Sequence, residues 1–158
     1  MALSPLIFGC QGPSLSAAER RFFAKAQPFG FILFSRNLET PKQIQHLCTE
    51  LRTAVGWHAP VLIDQEGGRV SRLGAPHWFE FLPALDQAAA PQSERLFWLR
   101  GRLIAENLRS CGIDSNCAPL GDIAQLDTHA VLKNRCYGHA LSAVVTHARA
   151  LHQGLRHG

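Results

Sequence analysis

The chain has 158 residues, 46% hydrophobic and 18% charged, a balance that excludes a disordered chain, a coiled coil or a string of domains and describes one globular domain. Sixteen Lys and Arg against twelve Asp and Glu give a net charge of +4. The lysines are Lys25, Lys42 and Lys133, and the arginines are scattered singly, which reads as a solvated surface and not as a nucleic-acid patch. Cys10, Cys48, Cys111, Cys117 and Cys136 show neither a CxxC pair nor zinc-like spacing and read as buried reduced thiols. No basic segment precedes the short apolar stretch at the N-terminus, and nowhere do about 18 apolar residues run together. The expectation is a cytoplasmic protein without a membrane segment.

In chain order, residues 5–9 form a short apolar run bounded by turn residues, a strand by pattern. Ala18, Phe22 and Ala26 then recur at four-residue spacing, and Ser16 with Glu19 predicts a capping box for that helix. Residues 30–34 are the second strand. Thr40, Pro41 and Gln43 supply an N-cap, a first-turn proline and a box partner for a helix with Ile44, Leu47, Cys48 and Leu51 on one face. Residues 60–63 are the third strand and end at Asp64. The stretch over residues 65–92 is far longer than the roughly 2 to 6 residues of an ordinary strand-to-helix connection, and reads as a binding loop. The helix beyond it carries Leu96, Leu99, Leu103 and Leu108 roughly on one side and stops at Gly112. A more polar fourth strand, residues 113–119, precedes a helix with Val144, Ala148, Leu151 and Leu155 on its inner stripe.

Strand followed by helix, four times, with strands buried on both faces, predicts an α/β fold with a parallel sheet covered by helices. A doubly wound open sheet and part of a (β/α)₈ barrel both satisfy this pattern. In either, chemistry gathers where strands end, so the segments after Phe34, Ile63 and Ala118 are the places to look. The richest is residues 61–72, VLIDQEGGRVSR. Asp64 is an acceptor-only group able to grip two hydroxyls, Gly67 and Gly68 allow the backbone to turn sharply beside a ligand, and Arg72 can reach a neighbouring acceptor. The plainer alternative pairs Asp64 and Glu66 with Arg69 and Arg72 in a surface network.

The string LIDQEGGRVSRL, preceded by GFILFSRN and followed by SNCAPLGDI, resembles the N-terminal half of glycoside hydrolase family 3, within it the bacterial β-N-acetylhexosaminidases of peptidoglycan recycling. The resemblance covers residues 6–155. It implies the (β/α)₈ TIM-barrel type, with only about the first four βα units present, so that residues 1–158 are the N-terminal part of the catalytic barrel. The implied activity is retaining hydrolysis of terminal β-linked N-acetylglucosamine from peptidoglycan fragments. Carried over residue by residue, Asp64, Arg72 and Arg135 become substrate-binding positions. Arg135 lies in Asn134-Arg135-Cys136-Tyr137-Gly138, similar to the family's arginine, small residue, aromatic pattern although Cys136 is unusual there, and Asp122 is read as shaping the loop after the fourth strand.

No catalytic residue is assigned. In the family the nucleophilic aspartate and the acid/base histidine follow the fourth βα unit, in segments expected beyond Gly158. Asp64 and Glu66, at i, i+2, would contact the sugar without flanking its anomeric bond. His129 and His139 flank the Arg135 loop, His147, His152 and His157 belong to the last helix or its end, and all five are expected to face solvent. No metal and no cofactor are expected. The implied partners are an N-acetylglucosamine-containing carbohydrate and a second chain completing the barrel, with neither nucleic acid nor membrane. Two other readings stand beside this one: a non-catalytic carbohydrate-binding module or inactive fragment, and an anion-binding protein using the Gly67-Gly68 turn.

Overall fold

The computed structural model describes residues 3–158; Met1 and Ala2, which open the apolar stretch read for a leader, lie outside them. Two compact units are present. The first holds the chain up to Asp64 together with Leu108–Asn116, and the second holds Gln65–Asn107 and Cys117–Gly158.

The first unit is the parallel sheet and its helices. Strands β1 (Ser4–Phe8), β2 (Pro28–Leu33), β3 (Val61–Ile63) and β4 (Ser115–Asn116) are hydrogen-bonded in the order β1-β2-β3-β4. Leu33 pairs with Ile63 and Ile63 with Asn116, so three strands end level and Asp64 follows directly at their C-terminal edge. Helix α1 (Ala17–Ala26) starts on the expected capping box, the Ser16 side chain accepting from the Glu19 N–H and Glu19 reaching back to the Ser16 N–H. Helix α2 (Pro41–Val55) starts on Thr40, which accepts from the Gln43 N–H, while the Gln43 side chain accepts from Glu39 one residue ahead of the cap. Ile44, Leu47, Cys48 and Leu51 are all fully buried, as their spacing predicts. Gly112, at φ +76, ends α4 (Ser93–Ser110): its N–H bonds to Arg109 O and that of Ile113 to Leu108 O, the Schellman pattern.

The strands are less enclosed than the sequence suggests. Leu6 and Ile7 of β1 are about half exposed, β1 being an edge strand with a neighbour on one side alone, and Phe29 of the inner strand β2 is about half exposed as well. The polar fourth strand also pairs over just two residues instead of seven.

The second unit contains α3 (Ala84–Ala88) inside the long loop, most of α4, the short α5 (Ala130–Lys133) and α6 (Leu141–Arg156). Its core joins Ala84, Phe97, Tyr137, Val144, Ala150 and Leu151. Within α4 the expected face holds only at Leu108, which is buried: Leu96, Leu99 and Leu103 are 37%, 37% and 50% exposed, while Phe97, Arg100 and Ile104 are buried. Both sides of the helix are apolar, so periodicity alone does not choose between them. The choice is made by two glycines, since a Cβ on Gly101 would overlap Leu151 O of α6 and one on Gly154 would overlap Trp98 O of α4. His147 is likewise buried, not solvent-facing. It stacks on Phe97 at 4.6 Å, its Nδ1 lies 2.6 Å from Tyr137 O and its Nε2 2.9 Å from Ser93 Oγ. His129, His139, His152 and His157 are exposed as expected.

Gly154→Ala measures the glycine contact. Alanine gains about 1 kcal/mol in helix propensity, but the added methyl has only backbone to displace. The expected net effect is a loss of about 2 kcal/mol, read as a lower urea midpoint at unchanged m-value.

Candidate substrate-binding site

Three consecutive residues, Asp64, Gln65 and Glu66, follow β3. Asp64 closes the first unit, half-buried, at the C-terminal edge of the sheet where this fold class carries its chemistry. Gln65 opens the second unit and is 1% exposed. Its Oε1 accepts the backbone N–H groups of Arg72 at 2.8 Å and Leu73 at 2.9 Å, and its Nε2 donates to Ser71 Oγ and Leu73 O at 2.8 and 2.9 Å. One amide side chain thereby closes residues 65–73 into a compact loop and fixes the backbone at Arg72. Arg72 lines a cleft of about 450 Å³ with Arg69, Ser71, Glu80 and Phe81.

Glu66 does the corresponding work for Arg135. Its carboxylate accepts the Arg135 Nε–H at 2.8 Å and an Nη2–H at 2.7 Å, a two-pronged bond spanning 69 residues of sequence. The Glu66 side chain is 8% exposed and that of Arg135 25%. Fork-to-fork pairs of this kind fix direction as well as position. Glu66 is thus paired with Arg135, a residue outside the surface network read from spacing. Arg69 reaches instead toward Val131 O at 3.4 Å.

The Gly67-Gly68 turn also has a different cause from the one its sequence suggests. Gly67 and Gly68 have φ of +91 and +61, and the N–H groups of Glu66 and Gly67 both bond to Val70 O at 3.0 Å. What sits against them is protein. A Cβ on Gly67 would overlap the Arg100 guanidinium, and one on Gly68 would come within 2.9 Å of Pro83 Cα. Arg100 is 2% exposed, and spacing gave no sign of it. Its Nε and Nη2 donate to Glu66 O at 3.1 and 2.6 Å, and its Nη1 donates to Leu82 O at 2.9 Å and Gln87 Oε1 at 3.0 Å. The guanidinium lies 5.3 Å from the centre of the Phe81 ring. Burial pulls its pKa below the ordinary arginine value, with Tyr137 and Glu66 acting the other way.

Tyr137 is buried, and burial pushes its hydroxyl up to about 12, with Leu120 backbone hydrogen bonding and the Arg100 charge opposing. Burial, and then the exposed Asp122 carboxylate, raise the Cys136 thiol above its usual range. Four of the five cysteines are buried; Cys117 is exposed.

The chain matches the model of the glycosyl hydrolase family 3 N-terminal domain over residues 10–158. It belongs to that family. Its relatives include a β-hexosaminidase of Alkalilimnicola ehrlichii, 34% identical over 99% of this chain and 46% of that protein. Another, from Methylococcus capsulatus, is 32% identical over 95% of this chain and 45% of its own length. The crystal structure of native NagZ from Neisseria gonorrhoeae superposes with a TM-score of 0.87 at 28% identity, covering 98% of this chain and 46% of NagZ. A second structure of that NagZ is a complex with N-trifluoroacetyl-D-glucosamine, TM-score 0.87. The family 3 chain thus spans a little under half the length of the relatives it matches, and the barrel type, with its first βα units, is the fold it shares with them. None of its described helices is long and apolar enough to cross a membrane.

Glu66→Gln tests the bond that organises the site. Glutamine accepts one of the two N–H groups and presents an NH₂ to the guanidinium, so a loss of about 2 kcal/mol is expected in urea unfolding. In a double-mutant cycle with Arg135→Gln the two losses are expected to be clearly less than additive.

Proposed function

We propose that this chain forms the sugar-recognition half of a β-N-acetylhexosaminidase, binding a terminal β-linked N-acetylglucosamine of a peptidoglycan fragment through Asp64, Arg72 and Arg135. The observation that carries the reading is the Glu66–Arg135 bond, which ties the DQEGGR loop to the Arg135 segment and holds a guanidinium in one direction. A sugar ring offers neutral hydroxyl and amide groups in fixed directions, and oriented donors recognise it at little entropic cost. Asp64 supplies the complementary acceptor at the end of β3. Membership of family 3 and the relatives' naming as β-hexosaminidases support the same substrate class.

The retaining reaction needs a nucleophile and a proton donor on either side of the scissile bond. The carboxylate after Asp64 is engaged with Arg135, and His147 is committed to Tyr137 O and Ser93 Oγ. We therefore assign recognition to these residues and bond cleavage to residues supplied from elsewhere, either a second chain completing the barrel or further sequence. The cytoplasm, where peptidoglycan fragments are recycled, is the proposed compartment.

Calorimetry with N-acetylglucosamine tests the assignment. The 158-residue chain is expected to bind the sugar, and Asp64→Ala, Arg72→Ala and Arg135→Ala to weaken binding by about tenfold each. Unchanged affinity in all three would remove the proposed site. The same preparation is expected to leave a chromogenic β-N-acetylglucosaminide intact, and turnover abolished by Asp64→Ala would show instead that the chain is catalytic by itself.

A further inference from the structure

Arg100 stands out because its burial is unusual and its partners are specific. A guanidinium removed from water needs compensation at its N–H groups, and here three carbonyl oxygens accept four hydrogen bonds from it, with the Phe81 ring alongside. No carboxylate touches it directly among the described contacts. Two of its five N–H groups converge on one atom, the carbonyl oxygen of Glu66, and the other two acceptors belong to Leu82 and Gln87 on the far limb of the same long loop. Arg100 therefore clamps the beginning and the end of the loop to α4. The residue whose backbone it grips is the one whose side chain holds Arg135.

We propose that Arg100 is a positioning residue for the sugar site: by fixing the Glu66 carbonyl it sets the direction of the Glu66 carboxylate, and through it that of the Arg135 guanidinium. The geometry has no slack. Two guanidinium N–H groups on the Glu66 carbonyl hold the backbone from which the Glu66 carboxylate projects to Arg135, and the space vacated by the missing Gly67 Cβ is filled by the guanidinium itself. A lysine at position 100 keeps the charge but presents a single tetrahedral donor group, and cannot reproduce a planar fork on Glu66 O with a third arm on Leu82 O and Gln87 Oε1. The effect on sugar affinity rests on the proposed N-acetylglucosamine site; the effect on Arg135 does not.

The experiment reads both. In the ¹⁵N-labelled full chain, the Nε–H of Arg135, assigned by its loss in Arg135→Gln, is expected to exchange slowly with solvent because Glu66 holds it. Arg100→Lys is expected to speed that exchange by about tenfold and to weaken N-acetylglucosamine binding by a similar factor. Arg100→Gln, which buries no charge, serves if the lysine variant fails to fold, with the same expectation. Leu151→Ala, a core truncation in the same unit, is the control: it lowers stability and should leave the Arg135 exchange rate within about twofold. An Arg135 N–H as protected in Arg100→Lys or Arg100→Gln as in the parent chain overturns the proposal. So does equal loss of protection in Leu151→Ala, which would make the effect one of general loosening. Fast exchange in the Arg100 variants, with no sugar binding by the parent chain, upholds the positioning role and counts against the sugar site alone.

Discussion

A buried guanidinium answered by carbonyl oxygens and aromatic rings ties both limbs of the long loop to α4. Desolvating Arg100 costs several kcal/mol unless its N–H groups are answered, and the answers come from Glu66, Leu82 and Gln87, at the two limbs of one loop. To offer its carbonyl inward, Glu66 must be followed by residues at positive φ, which Gly67 and Gly68 adopt at no steric cost. The same turn leaves room for the arginine where any other residue at 67 would place a methyl. Arginine, glycine pair and loop length are therefore one device. Changing any member would leave the others without a reason.

From that clamp the site follows by short steps. Gln65 and Glu66 face different partners, one satisfying backbone groups around Arg72 and the other gripping the Arg135 fork. Each immobilises part of a cation-bearing segment through protein contacts alone. Such preorganisation suits recognition of a neutral, hydroxyl-rich ring, for which the entropy of fixing long arginine side chains would otherwise consume much of the gain. Asp64 stands one residue earlier, at the level end of three paired strands. Strand geometry, loop closure and ion pairing thus act on three neighbouring residues of one segment.

Helix α4 shows how a small contact overrides a larger pattern. Its three outward leucines line an apolar surface groove with Phe79 and Leu82, although leucines at that spacing ordinarily mark a core face. Gly101 and Gly154 instead bring the α4 and α6 backbones so close that neither helix tolerates a Cβ at the contact. Phe97 and Ile104 are carried inward with Gly101, and Arg100 is carried to the loop. The helix orientation that supplies the clamp is thus set by residues with no side chain at all.

Much of the fold was legible in the chain because it is written in local terms. The alternation of strands and helices, the Ser16-Glu19 and Thr40-Gln43 caps, the Gly112 stop and the buried stripe of α2 each depend on residues within a few positions of one another. The segment LIDQEGGRVSRL pointed to family 3, whose domain model matches the chain. What the sequence did not disclose are relations across long separations: Glu66 with Arg135 over 69 residues, Arg100 with Glu66 over 34, His147 with Ser93 over 54. The exposed leucines of α4 and the exposed edge β1 differ from the sequence pattern for the same reason. Hydrophobic periodicity reports which faces could be buried, and only the tertiary packing, through close glycine contacts and the need to satisfy one desolvated arginine, decided which were.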